Sequence, residues 1–266
     1  MTFKRRLKYL LYNFVPGFAG RFPYYGSQVH FPAGAPVFRE ICERGGFEPD
    51  IIDRMCKLAE PSTTVFDVGA NIGLMAIPVL RSCDSCRVVS FEPSPNSLPY
   101  LQETARGSAF ADRWIVRGVA LAASAGELDF TIGRPEDALF EGFKSASRIA
   151  DARVIKVKVS TVDEEWRAVA RPRVSVIKID VEGAEGGVLD GASELLAAEQ
   201  PAILIEWHEP YLSRFGTRPD AILKISNRFD YRMFTIPGGV PVTDDASLAV
   251  QMLSCQNFLL VPRGRQ

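Results

Sequence analysis

The sequence predicts an α/β fold, with one mostly parallel sheet and helices on both of its faces. Three observations carry that prediction. From Thr63 onward, short apolar runs alternate with helical stretches, the pattern of a parallel sheet covered on two sides. The first run passes directly into a glycine turn, "VFDVGANIG" (Val65–Gly73), as a strand feeding a helix does. The last two runs are joined by about twenty residues without a clear helical pattern, so a long hairpin is expected there and an antiparallel last strand.

The elements follow in order. "TTVFDVG" is the first strand and "NIGLMAIPVLRS" its helix, which Pro78 should kink or shorten. "RVVSFEP" is a second strand, stopped by Pro93, and "SPNSLPYLQETARG" the following helix; "WIVRGVAL" is a third strand. "GELDFTIG" and "RVIKVKVS" alternate apolar with polar residues around a polar loop near Gly142, which suggests a half-exposed antiparallel excursion. The buried pattern returns with "VSVIKID", its helix "GAEGGVLDGASELLAAEQ", and "AILIEWHE". "RPDAILKISNRF" is another helix, and "YRMFTIP" and "QNFLLVP" make seven strands. Residues 1–60 precede this repeat as an N-terminal extension, leaving 61–266 as the main domain.

Composition narrows the function class. With 266 residues, 47% apolar and 24% charged, the chain suits one large soluble domain. Its net charge of −1 supplies no broad basic field for nucleic acid. No apolar run reaches the length of a membrane span, and "MTFKRRLKYLLYNFVPGF" lacks the apolar core of a signal peptide. That segment is basic and amphipathic, which fits a terminal helix docked on the domain or one lying on a membrane surface. Five cysteines, an odd number, read as reduced thiols in a cytoplasm, with "CDSC" (Cys83, Cys86) as two thiols near a loop.

The glycine turn can be asked what it binds. In open α/β sheets, ligands sit at the carboxyl ends of the strands. A dinucleotide site needs G-x-G-x-x-G so that a pyrophosphate can press on bare amides, and a P-loop needs a following lysine. Here Gly69, Asn71 and Gly73 match neither spacing. Asp67 would repel a pyrophosphate and attract an ammonium. S-adenosylmethionine carries an amino-acid end, a sulfonium and no phosphate, so Asp67 is expected to meet its ammonium while Gly69 and Gly73 make room. Glu92, ending the second strand, is placed to bind both ribose hydroxyls, as an acid there also does for NAD.

At these residues the chain resembles the FkbM-type S-adenosylmethionine-dependent methyltransferases. "VFDVGANIG", "FEP", "IKIDVEGAE" and "ILIEWHE" match that family's motifs in order, from about Thr63 to Pro237. The resemblance implies the seven-stranded class I methyltransferase fold and methylation, usually of a hydroxyl on a natural product or sugar. It also suggests that residues 1–60 cover an acceptor pocket.

An activated methyl donor leaves the protein to align donor and acceptor and to remove a proton. The candidates for that work are Asp180, Glu206 and His208, with Glu182, Glu185 and Glu209 nearby. His208 suits a general base, and a hydrogen-bonded histidine at a strand end equally well. Asp180 suits orientation of acceptor or sulfonium, and a helix cap equally well. Glu185 reads as an acid at a helix N-terminus. The same three candidates also offer a divalent ion an oxygen and imidazole set, a reading ranked below metal-free chemistry. The adenine wall is expected after the third strand, near Ser124. Trp166 and Trp207 read as core. A nicotinamide oxidoreductase and a non-catalytic scaffold of the same fold are the rival readings.

Overall fold

The structure is a computed structural model that describes residues 1–134 and 152–264; the loop expected around Gly142 lies outside them. The extension folds as α1 (Phe3–Phe14), a hairpin of β1 (Arg21–Tyr24) and β2 (Ser27–His30), then α2 (Pro36–Arg44) and α3 (Pro49–Leu58). The alternating part begins with β3 (Thr64–Val68), α4 (Ala76–Ser82), β4 (Arg87–Phe91), α5 (Leu98–Gly107) and β5 (Trp114–Arg117). A side sheet of β6 (Ala120–Leu121), β7 (Gly126–Ile132) and β8 (Arg153–Ser160) follows, then α6 (Val162–Ala168). The chain returns to the main sheet with β9 (Val174–Ile179), α7 (Glu185–Asp190), α8 (Ser193–Glu199), β10 (Ala202–Glu206), α9 (Glu209–Leu212) and α10 (Ala221–Arg228). It finishes with β11 (Tyr231–Ile236), β12 (Pro241–Val242), α11 (Asp245–Met252) and β13 (Asn257–Pro262).

The main sheet runs β12-β11-β13-β10-β9-β3-β4-β5. All seven expected strands are in it, and β12, a two-residue edge pairing with β11, makes an eighth. β13 lies antiparallel between β10 and β11, as the hairpin argument required. With the helices on both faces, this is the class I methyltransferase fold. The chain passes from β3 outward to β4 and β5, then from β9 outward to β10 the other way. Strand order therefore reverses between the parallel neighbours β3 and β9, which is where such sheets bind ligands.

Three expectations are corrected. The third strand stops at Arg117, because Ala120 and Leu121 pair with β8 instead of β4. The stretch before the last strand does contain a helix, α11. Its start is set by reciprocal capping, Asp244 accepting from the Ser247 amide at 2.8 Å and Ser247 Oγ accepting from the Asp244 amide at 3.1 Å. Only Leu248 of that helix is buried, so apolar periodicity gave no sign of it. Cys83 and Cys86 form a disulfide rather than two thiols, their Cα atoms 5.4 Å apart where α4 turns toward β4; Cys42, Cys56 and Cys255 are free. Pro78 sits in the first turn of α4, where its missing N–H is harmless, and the helix is short, as one of the two expected outcomes had it.

The two faces of the sheet have separate cores. Phe66, Val89, Ile177 and Ile203 pack with Trp166, Trp207 and the helices α6 to α11. Val65, Val88, Val176 and Leu204 pack with α4, α5 and the whole extension, whose Phe22, Phe31 and Phe38 rings lie 4.6–5.5 Å from one another by centroid. The extension thus lies directly over one face of the sheet.

Candidate active site

Four strands of the sheet end in the same local pattern, two apolar residues, a polar one, then an apolar one: "VFDV", "VVSF", "VIKI" and "LIEW". Side chains alternate along a strand, so the polar residue follows the first apolar residue onto the face under the extension. Cross-strand register then sets Ser90 beside Asp67 and Asp67 beside Lys178, with Asp180 and Glu206 one step further along β9 and β10. A row of polar groups results at the carboxyl ends of the strands, on that face alone.

Each member is held differently. Ser90 is buried and accepts the Trp114 indole N–H at 3.0 Å. Asp67 is fully buried, and neither of its oxygens has a hydrogen-bond partner; burial raises its pKa to about 6, with Lys178 pulling down and Asp180 adding to the rise. Lys178 Nζ donates to Asp180 Oδ2 at 3.0 Å and, more weakly, to the Gly69 carbonyl at 3.4 Å. Burial works against its charge, but the carboxylates of Asp180, Asp67 and Glu48 outweigh that, and its pKa moves upward. Glu48, at the head of α3, brings a carboxyl from the extension; burial and Asp180 raise it to about 7. Burial, then Asp180, Glu182 and Glu185, push Glu206 to about 10, so it carries a proton at neutral pH.

The glycine turn is built by packing. Gly69 has φ +81°, and a Cβ there would stand 1.8 Å from the Asp180 carbonyl oxygen. At Gly73, φ +91°, a Cβ would stand 2.7 Å from the Trp114 ring. Both were expected to make room for a ligand; their immediate neighbours are protein atoms. Asn71 takes the left-handed conformation at φ 48°, which its side chain tolerates. The turn's amides are already engaged: Gly69 and Ala70 donate to the Phe91 carbonyl, Gly73 to Ala70, and Asn71 to Glu92 Oε2 at 2.8 Å. Glu92 Oε1 accepts from the Ser94 amide, also at 2.8 Å, so this carboxylate ties the turn to the loop after β4.

These pieces frame a cleft at the reversal point, with about 910 Å³ of open space including its mouth. Gly69, Asn71 and Glu92 line it on one side, Lys178, Asp180 and Glu182 on another, and Val119, Ala120, Leu121 and Phe130 form an apolar wall. Val37 and Phe47 reach it from the extension. Neither Asp67, which is fully buried, nor Gly73, which is packed against Trp114, is among the lining residues.

The remaining expected residues fall elsewhere. Ser124 is exposed in a second depression, beyond the end of the apolar wall, because the chain leaves the cleft at Leu121. His208 ends β10's extension at the head of α9, its Nε2 3.3 Å from Gln256 Nε2 and its ring edge-on to Tyr211. Neither His208 nor Glu206 is among the residues lining the cleft. Asp180 pairs with Lys178 instead of capping α7, and Glu185, fully buried, accepts the Val181 and Gly183 amides at 3.0 Å. Among the described residues, no group of three or more His, Cys, Asp or Glu is arranged to hold a metal, so Asp180, Glu206 and His208 do not form the divalent site. Trp166 and Trp207 are core, each donating its indole N–H to a backbone carbonyl. Lys178 escaped the sequence reading, although its place matches that of Asp67 one strand away.

The sequence is similar to those of known methyltransferases. The hexuronic acid methyltransferase AglP of Haloferax volcanii is 28% identical over 164 residues, which cover 60% of this chain and 62% of that protein. The methyltransferase sdnD of Sordaria araneosa is 30% identical over 186 residues, 58% of this chain and 68% of that one. Among solved structures, a methyltransferase FkbM from Methylobacillus flagellatus superposes with a TM-score of 0.48 at 17% identity, covering 85% of this chain and 58% of that one. The profile of the methyltransferase FkbM domain matches residues 67–233, from the buried acid of β3 to the middle of β11, and the chain belongs to that family.

Proposed function

We propose that the protein is an S-adenosylmethionine-dependent methyltransferase that methylates a hydroxyl of a small-molecule natural product or a sugar. The observation that carries this reading is the glycine turn, whose Gly69, Ala70, Asn71 and Gly73 amides are bonded within the protein and which carboxylates flank. A pyrophosphate would find those four donors taken and an unwelcoming negative charge beside them. A ligand with an ammonium and a diol fits instead. Asp67 has two unpartnered buried oxygens below the turn, and Asp180 lines the cleft above it. Glu92 lines the cleft at the end of β4, the position from which a carboxylate binds a ribose diol. The wall of Val119, Leu121 and Phe130 suits an adenine.

When bound, S-adenosylmethionine supplies a methyl group already activated by its sulfonium. The protein's share is alignment, exclusion of water and acceptance of the hydroxyl proton. Asp180 is the expected catalytic group that reaches the cleft, and Lys178 fixes its orientation. Glu206, protonated at neutral pH, would donate a hydrogen bond rather than take a proton. Val37 and Phe47 support the idea that the extension shapes the acceptor side. The relatives, one named for a hexuronic acid, support a sugar or natural-product acceptor. The acids around this cleft favour an uncharged or cationic acceptor over a uronate.

Isothermal titration with S-adenosylhomocysteine and with NAD tests the reading. The expected outcome is affinity for the former in about the micromolar range, none for NAD, and at least about a tenfold loss in Asp67→Asn. Binding of NAD alone would overturn it.

A further inference from the structure

Helix α1 carries a second apolar face that the domain leaves uncovered. At about 100° per residue, Phe3, Leu7, Leu10 and Phe14 fall within an arc of about 60°. They are 82%, 57%, 46% and 63% exposed, and Phe18, just beyond the helix, is 49% exposed. Looseness of the helix does not account for this. Its opposite side is fixed: Tyr9 and Tyr12 pack on Phe38 of α2 at 6.3 and 6.0 Å. Asn13 is buried and accepts the Gly34 amide at 2.7 Å, and Arg5 donates to the Glu43 carbonyl at 2.9 Å. The helix is therefore held with its apolar stripe turned outward.

Charge identifies what the stripe meets. Residues 1–39 hold six Lys and Arg and no Asp or Glu, in a chain whose net charge is −1. On the helix, Arg6 flanks the stripe on one side and Lys4 and Lys8 on the other, all three exposed. An apolar stripe between two basic edges suits the boundary between lipid headgroups and acyl chains, and the basic edges select anionic headgroups. No helix among the described residues is long and apolar enough to cross a membrane, so this contact would lie in the plane of the surface. We propose that α1 is a docking surface for an anionic lipid bilayer. Because α1 packs on α2, and Val37 of α2 lines the cleft, docking would hold the cleft a single helix away from the membrane.

The test is cosedimentation of the full chain with phosphatidylcholine vesicles, with and without about a quarter phosphatidylglycerol. Binding is expected to the anionic vesicles, at least about tenfold stronger than to the neutral ones and weakened by salt. Leu7→Glu with Leu10→Glu should remove it with little change in melting temperature, since neither side chain is buried. Lys4→Glu with Arg6→Glu should remove the preference for anionic lipid. Absence of binding overturns the proposal. So does a concentration-dependent dimer in light scattering that the Leu7→Glu/Leu10→Glu variant dissolves, because the stripe would then meet a second copy of the chain.

Discussion

The two faces of the main sheet start alike and end differently. On the face toward α6 to α11, β3, β4, β9 and β10 run apolar to their ends: Phe66 to Val68, Val89 to Phe91, Ile177 to Ile179, Ile203 to Ile205. On the face under the extension the same strands go from Val65 to Asp67, Val88 to Ser90, Val176 to Lys178 and Leu204 to Glu206. One face is core throughout. The other is core at its base and a charged layer at its carboxyl edge, roofed by residues from the extension. The contrast teaches that the site is placed by register as much as by motif: one polar substitution per strand, repeated on neighbouring strands, assembles a cluster that no single segment contains.

If that layer is interdependent, its one buried cation should matter most. Lys178→Met keeps the length and removes the charge, leaving Asp67 and Asp180 without their shared counter-ion. Breaking a buried pair in this way costs about 3 kcal/mol or more, which urea denaturation would register as a lower midpoint at unchanged slope. A loss below about 0.5 kcal/mol would mean that the acids are already neutral without the lysine, and the charged layer would be no more than polar filling.

The sequence made the apolar face and the seven strands legible, because burial on both sides of a parallel sheet leaves continuous apolar runs. It also exposed Asp67, Asn71 and Glu92, which stand in a motif of unusual composition. Lys178 was hidden because a lysine between two isoleucines reads as strand filler until its cross-strand neighbours are known. Glu48 was hidden because it lies in a segment that matches no motif and reaches the site only through the packing of α3. His208 and Ser124 lie outside the lining of the cleft for the opposite reason. Both sit near a strand end in sequence, but the chain has already turned away from the cleft at Trp207 and Leu121. Helix α11 was missed because two reciprocal side-chain caps define it and almost no apolar face does.

Glu185 sharpens the comparison, being a buried acid of the same region that has amides instead of a lysine. Burial outweighs the amide bonds and raises its pKa from 4.5 to about 7. A carboxyl whose folded pKa exceeds its unfolded one binds its proton more tightly in the folded state. Its contribution to stability is therefore complete below about pH 4.5 and declines as pH rises through about 7. Glu185→Gln imitates the protonated form and can still accept both amides. The variant should equal the parent at about pH 4 and exceed it by about 1–3 kcal/mol at about pH 8, read from denaturation midpoints across the range. Equal stability at both pH values would show that the two amides alone hold the charge, and that burial beneath this edge carries no penalty.

The smallest effect is expected at Ser124, and it marks where the charged face stops. The apolar wall of the cleft ends at Leu121, and Ser124 lies three residues on, exposed in a depression shared with Lys156 and Gly187. Ser124→Ala removes a hydroxyl whose surroundings belong to the side sheet, so affinity for S-adenosylhomocysteine should stay within about twofold in the same titration. A tenfold loss, about 1.4 kcal/mol, would be the size of a real hydrogen bond to the ligand. The adenine would then extend past the wall into the second depression, and the site would belong to both sheets rather than to one face of the larger.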